Sequence, residues 1–490
     1  MPHEPARAGR PMSFESRIRA GLGWTTGTRL LSQLFAWGVS IFVIRILSPN
    51  DYGLVAMATV LIGFLGLFSE LGLGEAVVNA KSAEIDVLTL RKVYGLVLAV
   101  HGAIFAVIFL TAPLVALFFN EERLTLIIRV IGSQFLLVAP GVIPNALLQR
   151  DLEFKWRSII GLITSSLTAL ATLAFALSGL GVWSLVLGSL VSVVLNSIGI
   201  NLLHPFLHWP KFSFKGLGRL FGFGGYVALS RVMLYLYLQA DMIVGGRMLG
   251  KEQIGFYSVG MHLASMPMQR VSAILNEVAF PAFARIQENR ARVAHHVLQA
   301  IRLAGLCAFP VFWGMGAVAP ELVGVLLGAK WEPAILPLQL LAAVMPLRMI
   351  GQLMPPTLQG VGKARLNAQN QFVACVTMIV AFLIGVQYGI VGLAVAWVVG
   401  FPLTFIANVR TWFPALDIPA SKIFGAIVRP ALAAAGMFVT VEGARMLGTG
   451  PGPLGLATMI AVGAVTYGLL SLAMNRNGLR EARHLLLRRS

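Results

Sequence analysis

The chain is poor in charge. Only 12% of its 490 residues are Asp, Glu, Lys or Arg, about half of what soluble domains carry. Acidic residues are the scarcest, 20 against 38 Lys plus Arg, and the formal net charge is +18. The two cysteines, Cys307 and Cys375, form no CxxC and no zinc spacing, which excludes a disulfide framework and a cysteine-ligated metal. Both lie in apolar runs and are expected to be buried structural thiols. Long polar loops are missing, so no soluble catalytic domain fits between the apolar runs. The patterns GxxxxGK[ST], HExxH and GxSxG are absent, which removes the phosphate loop, the zinc hydrolase helix and the nucleophile elbow. The stretch GTGPGPLG from Gly448 to Gly455 lacks the lysine that would reach a phosphate and reads as a turn. No short apolar segment with a small-residue cleavage site precedes the first long run, which is therefore expected to be retained.

Apolar residues are abundant, 57% of the chain, and they recur in runs of about 20, the length that crosses a hydrocarbon core. Lipid offers the backbone no partners, so such runs are helices. The alternating segments of a β-barrel are absent. The expected fold is an all-α integral membrane protein of about 14 transmembrane helices. In a soluble protein a net +18 would suggest nucleic acid. Here the basic residues sit in short loops, where they set topology and meet anionic headgroups. No nucleic-acid partner is expected. Their bias runs one way at nearly every loop and places both termini in the cytoplasm.

The chain repeats itself. Arg45-Ile46-Leu47 and Gly53 match Arg247-Met248-Leu249 and Gly255 at an offset of 202. Backward, Arg29 pairs with Arg231; forward, Glu75 pairs with Glu277, and Gly181 with Gly389. The first copy begins at span 1 and the second at span 7. Six spans is an even number, so both copies enter from the same side. Two six-helix bundles related by a pseudo-two-fold along the membrane normal follow, with a cavity between them. The expected organisation is a basic cytoplasmic N-terminus (1–22), an N-terminal lobe (23–210), a C-terminal lobe (211–415), two additional helices (416–475) and a basic cytoplasmic tail (476–490).

The segment RILSPNDYGLVAMATVL, Arg45 to Leu61, followed by SELGLGEAVV, Ser69 to Val78, resembles the first two helices of bacterial polysaccharide and O-antigen flippases of the Wzx type. FPAFARIQ, Phe280 to Gln287, is similar to the motif after their eighth helix. These flippases belong to the multidrug/oligosaccharidyl-lipid/polysaccharide exporter superfamily. The resemblance covers nearly the whole chain. It implies a transporter, not an enzyme, in the bacterial inner membrane. It also implies two lobes that rock to carry an undecaprenyl-pyrophosphate-linked oligosaccharide to the periplasmic leaflet for exopolysaccharide or O-antigen synthesis. An ion-coupled multidrug-type exporter and a lipid II flippase share the superfamily and stay open. Expected partners are the lipid-linked oligosaccharide, membrane lipids, a proton or sodium counter-ion, and the polysaccharide polymerase machinery. No cofactor and no metal is expected.

A charge near mid-bilayer costs about 2.5–3.5 kcal/mol on insertion scales, so intramembrane charges face a bundle interior or a wet cavity. Four arginines are candidate cavity cations for an anionic substrate: Arg29, Arg231, Arg270 and Arg348. Guanidinium stays charged when desolvated and forks two N–H bonds onto phosphate oxygens. Glu70, Asp241 and Glu277 are candidates for ion coupling or for charge pairing with these arginines. The aromatic row Tyr226, Tyr235, Tyr237 and Trp331 offers faces for stacking on sugar rings, but is expected rather to anchor at the membrane interface.

Overall fold

The computed structural model describes residues 35–69, 86–151, 153–213, 225–286, 290–448 and 452–475, with 478, 480 and 481. Of residues 225–228 and 269–286 it describes the backbone alone. The described residues fold into helices: α1 Phe35–Ile46, α2 Pro49–Ser69, α3 Val87–Phe119, α4 Arg123–Gly132, α5 Gln134–Arg150, α6 Phe154–Leu177, α7 Val182–Leu203, α8 Gly225–Ile286, α9 Arg290–Ala317, α10 Ala319–Leu326, α11 Ile335–Gly351, α12 Met354–Gly360, α13 Ala364–Gly385, α14 Gly389–Ala415, α15 Ala420–Met446 and α16 Pro453–Met474. No strand occurs among the described residues. Among the described residues ten segments are long and apolar enough to cross a membrane, and three of them, Arg123–Arg150, Ala329–Gly360 and Arg365–Ala415, hold two α-helices each.

The starts of α2 and α3 follow local chemistry. Ser48 caps α2: its hydroxyl accepts the Asp51 N–H at 3.3 Å, and Asp51 Oδ2 accepts the Ser48 N–H at 3.0 Å. This is a reciprocal capping box. Pro49 follows at the first helical position, where its missing N–H costs nothing. Asp86 caps α3 through the Thr89 N–H at 2.7 Å. Hydrogen bonds from the Thr89 side chain and backbone hold the Asp86 carboxyl below its usual range.

Helix lengths vary widely. α3 is one continuous helix of 33 residues, whereas α4 and α5 are separated only by Ser133, and α9 and α10 only by Val318. The chain from 225 to 286 turns at Gly250, with φ 80° and ψ 177°, a region open essentially to glycine alone. The thiol expectation holds for Cys375, which is buried, and fails for Cys307, which is exposed. An apolar run does not say which face of its helix turns inward, and Cys307 lies on the outer face of α9.

Packing divides the chain into two units. The first comprises Met1–Ile46, Phe68–Thr111 and Leu126–Gly222. Its core joins α3 and α5: Leu90, Val93, Leu96 and Val97 pack on Ala139, Ile143, Ala146 and Leu147. The second comprises Leu47–Leu67, Ala112–Thr125 and Phe223–Ser490. Within it, α15 and α16 attach to α9 and α10. Arg445 grips Glu321 with two bonds of 2.7 and 2.9 Å. Arg302 grips Glu481 with two of 2.9 and 2.8 Å. Bidentate pairs of this kind resist the entropy that weakens single surface ion pairs.

In the second unit α2 crosses α8 at the repeat-related glycines. A β-carbon on Gly53 would stand 1.8 Å from the Lys251 carbonyl oxygen, and one on Gly255 would stand 1.9 Å from the Pro49 carbonyl oxygen. The offset that pairs Gly53 with Gly255 also pairs Pro49 with Lys251. Each helix thus presents its glycine to the matching carbonyl of the other, the self-complementarity that a two-fold axis produces. Tyr235 donates to the Val60 carbonyl at 2.6 Å, Lys330 to the Leu47 carbonyl at 2.8 Å, and Lys251 pairs with Glu121 at 2.6 Å.

The atoms facing both glycines are backbone, so nothing flexible can yield. Gly53→Ala or Gly255→Ala should each lower stability by about 1–3 kcal/mol, as overpacking does. Thermal unfolding in detergent measures it, and parent-like transitions in both variants would contradict the close crossing.

Candidate functional site

The charged residues that the structure brings together lie in the second unit, among α8, α11 and α14. Asp241 is 1% exposed. Its Oδ2 accepts the Tyr257 hydroxyl at 2.8 Å and the Trp397 indole N–H at 2.9 Å, and its Oδ1 accepts the Met242 N–H at 2.8 Å. Tyr257 and Trp397 are fully buried and 3.0 Å apart. The turn at Gly250 makes the contact possible, because it folds the second arm of α8, carrying Tyr257, back beside the arm carrying Asp241.

Arg348, on α11, completes the group. Its guanidinium carbon lies 3.8 Å from the Trp397 ring centroid, a desolvated cation–π contact worth about 2 kcal/mol. The indole therefore holds a cation on its face and an anion at its N–H. Each polarises the ring in the sense that favours the other. Arg348 is 7% exposed. Its other contacts are with the thioethers of Met261 and Met345, both at 3.8 Å. Sulfur is a weak acceptor. Among the described residues no oxygen accepts from this guanidinium.

Of the other expected site residues, Arg231 lies on α8 ten positions before Asp241, about 15 Å along the helix, and is half-buried. It does not join the group. Arg29 and Glu70 lie outside the described residues, and so do the side chains of Arg270 and Glu277. The expected interfacial aromatics are instead internal. Trp331 is 0% exposed, edge-on to Tyr52 at 5.7 Å and Phe256 at 5.9 Å. Tyr237 is buried against Trp397 at 5.6 Å. Tyr235 is spent on Val60, and the Tyr226 side chain is outside the described set. Polar aromatics fill helix crossings here because their apolar edges pack while their polar tips find carbonyls or carboxylates. Trp397 and Tyr257 escaped sequence reasoning. Their signal was position: Trp and Tyr concentrate at membrane interfaces, and Trp397 lies eight residues into α14.

Many membrane-spanning helices, a glycine crossing between repeats and charges held inside the apolar layer define a polytopic transporter. The model of the family described as polysaccharide biosynthesis protein matches residues 42–336, more than half of the chain. The chain belongs to this family. It is 26% identical over 480 residues to the succinoglycan biosynthesis transport protein ExoT of Rhizobium meliloti, covering 95% of this chain and 94% of that one. It is 25% identical over 340 residues to the lipopolysaccharide biosynthesis protein WzxC of Escherichia coli, covering 67% of each. Among solved structures, the lipid II flippase MurJ in its inward closed conformation superimposes with a TM-score of 0.74 at 14% identity, over 92% of this chain and 99% of that one. That likeness shows the fold. The expectation of a polysaccharide-type transporter rather than an enzyme agrees with these findings.

Removing Asp241 takes away the acceptor of the buried Tyr257 hydroxyl and Trp397 indole N–H and strips the cluster of its carboxyl group. Asp241→Ala should cost about 3–5 kcal/mol, read as a lowered unfolding temperature in detergent. An unchanged transition would show that the cluster does not hold this bundle together.

Proposed function

We propose that the chain carries an undecaprenyl-pyrophosphate-linked oligosaccharide from the cytoplasmic to the periplasmic leaflet of the bacterial inner membrane. It does so by alternating access, with both termini cytoplasmic, and serves exopolysaccharide or O-antigen synthesis. The near-complete alignment with a succinoglycan transport protein supports the substrate class. The observation that carries the mechanism is Arg348, a guanidinium inside an apolar helix set whose protein contacts leave donors unused.

The difficult step is desolvation of the pyrophosphate. Stripping water from an isolated anion costs far more than any one contact returns, unless a cation replaces the water. Arg348 meets a phosphate oxygen pair with a fork already oriented by Trp397. Arg231, and by sequence Arg29 and Arg270, extend the cationic lining along the path. Asp241 serves charge pairing rather than ion coupling: three protein donors already occupy its oxygens. Glu70 and Glu277 are assigned the same pairing role from sequence. A negative-inside potential favours outward movement of the anion by about 2.3 kcal/mol per charge per 100 mV.

Arg348→Ala and Arg231→Ala should each lower surface polysaccharide at least tenfold with unchanged protein in the membrane. Arg348→Lys should retain an intermediate level, since the charge survives and the fork does not. Parent-level export in both alanine variants would remove these residues from the path. Loss of viability, rather than of surface glycan, on gene disruption would move the substrate to lipid II. Ion-driven drug efflux would move it to small molecules.

In vesicles loaded with lipid-linked oligosaccharide, collapsing the potential with a potassium ionophore should slow flipping several-fold. A rate indifferent to potential would show that no net charge moves.

A further inference from the structure

The first unit carries a second polar and apolar arrangement, remote in sequence from the candidate site. After α7 the chain does not turn straight into the next helix. Residues 204–213 run extended across the end of the bundle. Phe206 pegs this strap into the core, 8% exposed and edge-on to Tyr94 at 5.9 Å. Arg91 ties it down: its Nε donates to the Trp209 carbonyl at 2.9 Å, and its carbonyl accepts the Lys211 N–H at 3.0 Å. The strap then presents Leu207, Trp209 and Phe212 outward, 90%, 84% and 63% exposed. In water such a row would be an aggregation hazard. At the end of membrane-spanning helices it sits at headgroup level, where tryptophan is favoured.

Beneath the strap lies a groove of about 770 Å³ between α3, α5 and α7. Its walls are mainly apolar, with Leu98, Leu137, Pro140, Val194 and Ile198 among them. Of its polar lining residues, Asn201 is engaged, donating to the Pro140 and Ser197 carbonyls at 3.1 and 2.9 Å. Tyr94 lies seven residues into α3, and Val194 nine from the end of α7. The groove thus reaches about 10–14 Å below the strap at 1.5 Å per residue, into the layer of acyl chains. Its strap side is basic. Arg91 is hydrogen-bonded to the carbonyl of the lining residue Trp209, and Lys211 stands exposed beside the lining residue Pro210. Among the described residues the Trp209 indole N–H has no protein acceptor.

We propose that this groove is a binding site for an anionic phospholipid. One acyl chain lies between α3, α5 and α7, and the phosphate meets Lys211, the free end of the Arg91 guanidinium and the Trp209 N–H. The depth, the apolar walls and the basic rim fit one molecule with a charged head and a long tail. Bound there, the lipid fastens the segment that joins the two sequence repeats to one leaflet. This inference is independent of the transported substrate.

The test uses the full-length protein in nanodiscs containing phosphatidylglycerol with a photoactivatable diazirine in the acyl chain, and the same probe as phosphatidylcholine. Crosslinks mapped by mass spectrometry should fall on Leu98, Leu137, Val194 and Ile198, with the anionic probe about fivefold more abundant. Lys211→Gln should bring the anionic probe about fivefold down. Ile198→Trp, which fills the groove from an already exposed position, should abolish crosslinking there. No crosslinks in the groove, equal labelling by the two headgroups, or parent-level labelling in both variants would overturn the proposal.

Discussion

Hydrocarbon supplies no hydrogen-bond partner, and the polar groups of the candidate site are placed under that constraint. A carboxylate within the layer must collect donors from the protein itself, and Asp241 collects three. A guanidinium must find electron density, and Arg348 finds an indole face and two thioethers. Helix ends obey the same rule. Ser48 and Asp51 satisfy each other's backbone at the start of α2, and the strap at 204–213 is hydrogen-bonded to the first turns of α3 rather than left to solvent.

The same constraint separates saturated charge from charge whose donors are left with weak acceptors. Arg445 and Arg302 are saturated by bidentate carboxylates, and they fasten α15, α16 and the following segment to the second unit. Arg348 is different. Its charge is compensated at a distance through Trp397, while its directional donors have only weak acceptors. A group held in that state retains most of its capacity for an anion. The arrangement is consistent with transient binding, in which a substrate must be met and then released. A tight carboxylate partner on Arg348 would cancel its affinity; removing Asp241 altogether would leave the charge too costly to hold in the layer.

The RILSPNDYG segment shows how a family motif can be read as mechanics. Leu47 offers its carbonyl to Lys330. Ser48, Pro49 and Asp51 start a helix. Tyr52 packs its edge on Trp331, and Gly53 lets the helix approach a carbonyl within a distance that no side chain permits. The repeat partner Gly255 does the same in reverse. Motif and repeat are thus one feature, a single helix crossing to which each copy contributes one glycine and one carbonyl.

Membrane class, helical fold, the repeat and the list of intramembrane charges were legible in the sequence, because hydropathy and loop charge are properties of composition along the chain. The Gly53 and Gly255 match was legible as a repeat; that the two helices cross at these glycines came from the structure. Which charges meet was not legible. Asp241, Arg348 and Trp397 are separated by about a hundred and by about fifty residues, and neither spacing nor propensity says that three helices turn these faces toward one another. The inward burial of Trp331 and Tyr237, against the expectation of interfacial anchors, has the same origin. So does the outward turn of Cys307. Sequence by itself determined that the chain must be helical and must hide its charges, since lipid permits nothing else. Only the tertiary structure decided which neighbours hide them, because that depends on the rotation of each helix about its own axis.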